Sequence, residues 1–289
     1  MEQLRNDRLQ VEMCAKGAEL MSIKDMEGRE YLWQGDSKYW GRRSPILFPI
    51  VGRVWQNRYR AEGKTWEMSQ HGILRDAEFK LVNKTDNRVT YAYTDTPETL
   101  KQYPYHFMLS ITYKLVDNNI EVIWQVLNTD TREIHFQIGG HPAFNLVDAN
   151  EQGRLCGTIK LDTSDTLHRQ YCTTEGCRPE KVDNVETENG YFSFTDAAFD
   201  DDAMIFTDSQ IREASLLDST HRPLVTLNFR SPALGIWMPK GKNAPFVCIE
   251  PWYGVTDSAN YTGEFKDRTL MNHLQPGASF LSKYTITIK

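Results

Sequence analysis

The sequence predicts an all-β protein built as a sandwich or a barrel, on three observations. Apolar and polar residues alternate with period two in one segment after another, turn residues punctuate those segments at short intervals, and helical periodicity is scarce. The clearest stretch begins at Phe107. Phe107, Leu109, Ile111, Tyr113 and Leu115 alternate with Ser110, Thr112 and Lys114; Asp117-Asn118-Asn119 supplies turn chemistry; Ile120, Val122, Trp124 and Val126 then resume the alternation, which reads as a β-hairpin.

In chain order, further strands are expected at Leu9 to Met13, Leu81 to Val82, Val89 to Tyr93, Ile134 to Ile138, Leu224 to Phe229, Phe246 to Ile249 and Phe280 to Ile288. Thr85-Asp86-Asn87, Ser231-Pro232 and Gln275-Pro276-Gly277 separate them as turns. One short helix is expected from Pro97 to Tyr103, with Pro97 suited to its first turn and Pro104 stopping it. The polar, acidic stretch from Thr173 to Asn189 reads as a surface excursion. With no repeat, low-complexity tract or linker to divide the chain, residues 1–289 are expected to form a single domain.

Composition narrows the function classes. The chain has 289 residues, 40% hydrophobic and 25% charged, which is the make-up of an ordinary globular protein with a substantial core. Its net charge is -6 with both signs mixed along the chain, so nucleic acid is not an expected partner. The opening MEQLRNDRLQVEMC lacks the apolar centre of a signal peptide, and no run of about twenty apolar residues could span a bilayer. A cytoplasmic protein with no membrane contact is the expectation, and a homodimer is left open.

Five scattered cysteines, Cys14, Cys156, Cys172, Cys177 and Cys248, fit reduced thiols better than a disulfide framework. Cys172 and Cys177 do not have zinc-ribbon spacing, and no second pair accompanies them. Neither GxGxxG nor GxxxxGK[ST] occurs, and there is no alternating βαβ series, which disfavours nucleotide chemistry.

Four segments combine Gly or Pro with ionisable and aromatic residues in a way that ordinary strands do not need: FPIVGRV (Phe48 to Val54), QHGILRD (Gln70 to Asp76), IGGHPAFN (Ile138 to Asn145) and CIEPWYGVTD (Cys248 to Asp257). His141 sits between two glycines and a proline, which suits a fixed imidazole able to exchange a proton near neutrality. Glu250 precedes Pro-Trp-Tyr-Gly, placing a carboxylate beside aromatic rings such as Trp252, on which the C–H face of a sugar packs. His71 and Arg75 could bond hydroxyl groups, although an Arg75 to Asp76 ion pair on a surface turn reads equally well. Position alone does not choose among Asp200, Asp201 and Asp202. His135 and His141 could share a face as metal ligands, but Gly139-Gly140 breaks the register and no HExxH or carboxylate cluster completes a set, so no metal is expected.

On these segments the chain resembles the aldose 1-epimerase (galactose mutarotase) family, in the branch typified by the lactose-operon X protein. The resemblance runs from GAELMSIKD (Gly17 to Asp25) through LFPIVGR, QHGILRD, GGHPAFN and DDAMIF (Asp201 to Phe206) to CIEPWYG and QPGASF (Gln275 to Phe280), and so covers nearly the whole chain. It implies a large antiparallel β-sandwich, a sugar substrate and no cofactor. It places the family's two histidines on His71 and His141, its catalytic glutamate on Glu250, and its sugar-binding aspartate on the acidic run, with Asp202 favoured over Asp201. Arg75 matches an arginine of the branch. The family's Gly-Arg then Asn-Arg pattern carries one extra residue here, between Gly52-Arg53 and Asn57-Arg58, which leaves open whether Arg53 or Arg58 faces the sugar and puts galactose in doubt as the preferred substrate.

Anomer exchange needs a proton removed from the anomeric hydroxyl and another delivered to the ring oxygen. The resemblance implies Glu250 as base and His141 as acid, with His71 bonding the ring-opening oxygen and Arg75 and Asp202 holding other hydroxyls. Two rival readings are a sugar-binding module without catalysis and an epimerase for a phosphorylated hexose gripped by arginine. A glycosidase, which normally needs two placed carboxylates, fits less well.

Overall fold

The computed structural model describes residues 1–149, 153, 155–163, 166–173 and 175–289. Among these residues two large antiparallel sheets account for most of the strand residues. The larger, of ten strands, runs across Asp148–Ala149, Leu155–Leu161, Glu213–Leu217, Pro223–Phe229, Ser279–Ile288, Asn119–Asn128, Phe107–Val116, Arg88–Thr94 and Lys80–Thr85, with Tyr191–Thr195 also on Leu155–Leu161. The smaller, of eight, runs across Gly176–Val185, Leu167–Thr173, Met204–Phe206, Ala233–Trp237, Phe246–Tyr253, Ile138–Gly140 and Ile46–Leu47, with Ala143–Asn145 also on Phe246–Tyr253. This is the large antiparallel β-sandwich that the sequence predicts.

The hairpin at its centre shows why. Leu109, Ile111, Tyr113 and Leu115 lie opposite Val126, Trp124, Val122 and Ile120, so both strands turn their apolar set to the same face, and all eight are buried. Asp117 makes the turn with φ 51°. The two sheets meet tightly: a Cβ on Gly140 would lie 3.0 Å from the Tyr284 hydroxyl and 3.3 Å from Trp124. One apolar cluster joins residues from Leu4 to Ile288.

Three expectations are corrected. The segment from Pro97 to Tyr103 forms only a single 3-10 turn, Thr99–Lys101, held by mutual bonds between Thr96 and Thr99, because two prolines leave too little chain for a helix. The stretch from 173 to 189 is no loose excursion, since Gly176–Val185 pairs with Leu167–Thr173 at the end of the smaller sheet. It is an edge strand, wet along much of its length, so it lacks the alternation that marks a half-buried one. Finally, Ile134 to Ile138 is two strands. Ile134–Phe136 pairs with Asn272–Leu274 in a separate ribbon, and Ile138–Gly140 joins the smaller sheet, with the fully buried Gln137 at the break. Among the described residues no helix is long and apolar enough to cross a membrane.

Candidate active site

All four Gly- and Pro-bearing segments contribute lining residues to one cavity of about 670 Å³. His71, Arg75, His141, Asp202, Arg53, Glu250 and Trp252 all line it. Two segments lie side by side: Ile73 N–H donates to Phe48 O and His71 N–H to Gly52 O. Gly72, at φ 77°, is where they touch, since a Cβ there would come within 2.0 Å of Phe48 O.

Glu250 lies in the middle of Phe246–Tyr253 and is buried, opposite Gly235. His141 follows Ile138–Gly140, is held by a bond from its N–H to Pro45 O, and is also buried. The two meet at the cavity, with His141 Nε2 3.3 Å from Glu250 Oε2. Burial and the nearby Asp202 carboxylate push Glu250 well above the usual carboxylate range. Burial drives His141 the other way, down to about 3, with Arg75 and Arg42 adding to the fall. Burial thus favours the uncharged form of each partner, and the 3.3 Å approach brings the two polar atoms to one point of the cavity.

His71 adopts φ 64° and its ring stands edge-on to that of His141, centroids 5.5 Å apart. Gly52 N–H donates to His71 Nδ1 at 3.2 Å, which makes Nδ1 the acceptor and leaves the proton of the neutral ring on Nε2. Burial, then the neighbouring His141, hold the His71 pKa well below the ordinary histidine value, so it stays neutral and serves as a hydrogen-bond donor.

Asp200, Asp201 and Asp202 all line the cavity. Asp202 is the more buried of the last two, its carboxyl raised by burial, whereas Asp201 is exposed and meets the Tyr171 hydroxyl and Arg169. Arg53 reaches the cavity with Nη2 on Gln70, while Arg58 stands on the exposed strand Arg58–Ala61 beside Glu67. Arg75 does not pair with Asp76, which is gripped instead by both terminal nitrogens of Arg42 and approached by Lys16. His135 and His141 do not share a metal: His135 faces His273 in the ribbon. Trp252 lies across the sheet between Gly139 and Gly235, at each of which a Cβ would meet the indole at 2.6 Å.

Some of the site carries little signal in the sequence. Trp40 stacks on His141 at 4.7 Å and Trp237 stands edge-on to it at 5.7 Å, giving the imidazole an aromatic clamp. The aromatic run around KYWG was the sole hint of the first. Behind the cavity, buried Arg268 bonds Asp257, Gln137 Oε1 and the carbonyls of Val255 and Arg53. Gln137 in turn receives Val51 N–H, and Asp257 receives Trp55 N–H, so this buried network ties two of the four segments together through Gln137, the residue directly before a third.

His141, Cys248 and Glu250 are close enough to share an ion. The residues suit one poorly, because burial and the Glu250 charge drive the Cys248 thiol well above its ordinary pKa, and a soft metal needs the thiolate.

A closed antiparallel sandwich with a buried carboxyl and imidazole converging in an aromatic-walled cavity defines a small-molecule acid–base site. The chain belongs to the aldose 1-epimerase family, whose model matches residues 2–287. It is 29% identical to the chromosomal protein LacX of Lactococcus lactis subsp. lactis, with 99% of this chain and 98% of that protein aligned. Among solved structures it resembles a galactose mutarotase related enzyme from Lactobacillus acidophilus, with TM-score 0.93 and 31% identity over 100% of this chain and 97% of that one. It also resembles a galactose mutarotase-like protein from Lactobacillus casei, with TM-score 0.92 and 30% identity over the whole of both chains.

Proposed function

We propose that this protein is a mutarotase, interconverting the α and β anomers of a free aldose by opening and reclosing its ring. The observation that carries the reading is the 3.3 Å approach of His141 Nε2 to Glu250 Oε2 inside the cavity. The two oxygens that must exchange protons are bonded to one sugar carbon, so the acid and the base must converge as these two groups do.

Glu250 takes the proton of the anomeric hydroxyl while His141 delivers one to the ring oxygen; C1–C2 then rotates and reclosure reverses both transfers. These roles need Glu250 ionised and His141 protonated, the reverse of what burial favours in each, and a sugar hydroxyl donating to Glu250 favours its ionised form. His71, neutral with its proton on Nε2, donates to the oxygen on which charge develops. Arg75 and Asp202 hold other hydroxyls, and Trp252, Trp40 and Trp237 supply apolar surface for the ring face. Only protons move, so the proposed chemistry calls on no cofactor.

One observation favours a second reading, a phosphorylated aldose as substrate. The guanidinium groups of Arg53 and Arg75 both reach the cavity, and neither forms an ion pair among the described residues. Freshly dissolved α anomers of glucose, galactose and their 6-phosphates, followed by polarimetry, test both readings. Accelerated exchange is expected. A rate at the solvent value for every sugar in a wide panel would reduce the protein to a sugar-binding module, and acceleration confined to the phosphates would establish the second reading.

A further inference from the structure

We propose that Glu133, His135 and His273 form a binding site for one divalent transition-metal ion of the zinc class, separate from the sugar cavity. The ribbon of Ile134–Phe136 and Asn272–Leu274 builds it. Glu133 directly precedes the strand that carries His135, and antiparallel register sets His273 directly opposite His135. His135 Nδ1 and His273 Nδ1 lie 3.1 Å apart, and His273 Nδ1 is 4.0 Å from Glu133 Oε2. One ligand atom from each residue lies within 4.8 Å of the other two. Two imidazole nitrogens bound to one tetrahedral ion at roughly 2.0–2.1 Å stand about 3.3 Å from each other. The ribbon has nearly brought them to that separation.

The surroundings fit. Gln275, two residues beyond His273, donates to Glu133 Oε1 and leaves Oε2 on the side of the histidines, the kind of outer bond that orients a ligating carboxylate. Tyr105 packs edge-on against the His135 ring and fixes its plane. The His273 side chain is 47% exposed, which gives an ion a path in and lets water complete its coordination. Two imidazoles with one carboxylate select zinc-class ions over magnesium and calcium, which prefer all-oxygen sets.

The test is calorimetric titration of tag-free protein with zinc chloride, and separately with magnesium and calcium chloride, on the wild type, His273→Ala, Glu133→Gln and Cys248→Ser. One equivalent of zinc is expected to bind wild type and Cys248→Ser alike, with affinity at least about tenfold weaker in His273→Ala and Glu133→Gln and no heat from magnesium or calcium. Zinc absorption spectra of the loaded wild type, which depend on no variant folding, should show nitrogen and oxygen neighbours without sulfur. Absence of zinc binding, binding unchanged by His273→Ala, or a sulfur neighbour would overturn the proposal.

Discussion

His135 and His141 are six residues apart and meet opposite fates. The chain between them changes sheets at Gln137: His135 stays in a solvent-rimmed ribbon opposite a second imidazole, and His141 enters a closed cavity opposite a carboxyl group. Burial lowers both, but only for His141 does it reach about 3, and only there does a carboxyl group raised by burial stand opposite. Residue type thus settles little. The sheet that receives the side chain decides whether it is arranged for proton transfer or, as proposed, for an ion.

Substitutions can break that contrast. His141→Gln should lower anomer exchange by about 10²- to 10⁴-fold, measured by polarimetry, while His135→Gln leaves it within a few-fold. Equal losses would show that the two sites are not distinct. Arg268→Met strands the Asp257 carboxylate among buried groups and should cost about 3–5 kcal/mol in urea unfolding, because the network behind Gln137 holds both branches of the switch. Gly139→Ala sets a methyl against Trp252 and should cost about 1–3 kcal/mol, with a weakened apparent affinity for sugar.

The smallest effect is on pH-dependent stability. His71, His135 and His141 bind protons less tightly folded than unfolded, so their contribution is full above about pH 6.5 and declines on acidification, for His141 down to about 3. Glu250 and Asp202, raised by burial, oppose them: their contributions are full below about pH 4.5 and about pH 3.8 and decline as pH rises. Three imidazoles outweigh two carboxyls between about pH 4.5 and 6.5, so the melting temperature should fall from pH 6.5 to 5. His141→Gln should flatten that fall more than His135→Gln does, and an equal effect would contradict the difference in burial.

Much of this was legible before any coordinates. Period-two alternation placed the central hairpin to its register, because one face of each strand is wholly buried. The cavity residues were legible where Gly or Pro marked a forced backbone: Gly72 beside His71, Gly139-Gly140 beside His141, Pro251 beside Glu250. The hairpin of 167–185 hid because an edge strand need not alternate. Trp40 and Trp237 hid because an aromatic residue in a sandwich is ordinarily core. Arg268, Gln137 and Asp257 carry no local signal, since a buried polar network is specified by partners up to 215 residues away.

The central claim is that Glu250 and His141 exchange protons with the two oxygens of an anomeric centre. Glu250→Gln keeps the shape of the side chain and removes its acid–base function, so NMR exchange spectroscopy between α and β signals measures the claim directly. With the near-ultraviolet dichroism unchanged, the account predicts exchange slower by at least about 10²-fold than in the wild type. Wild-type exchange in a correctly folded Glu250→Gln protein would contradict it.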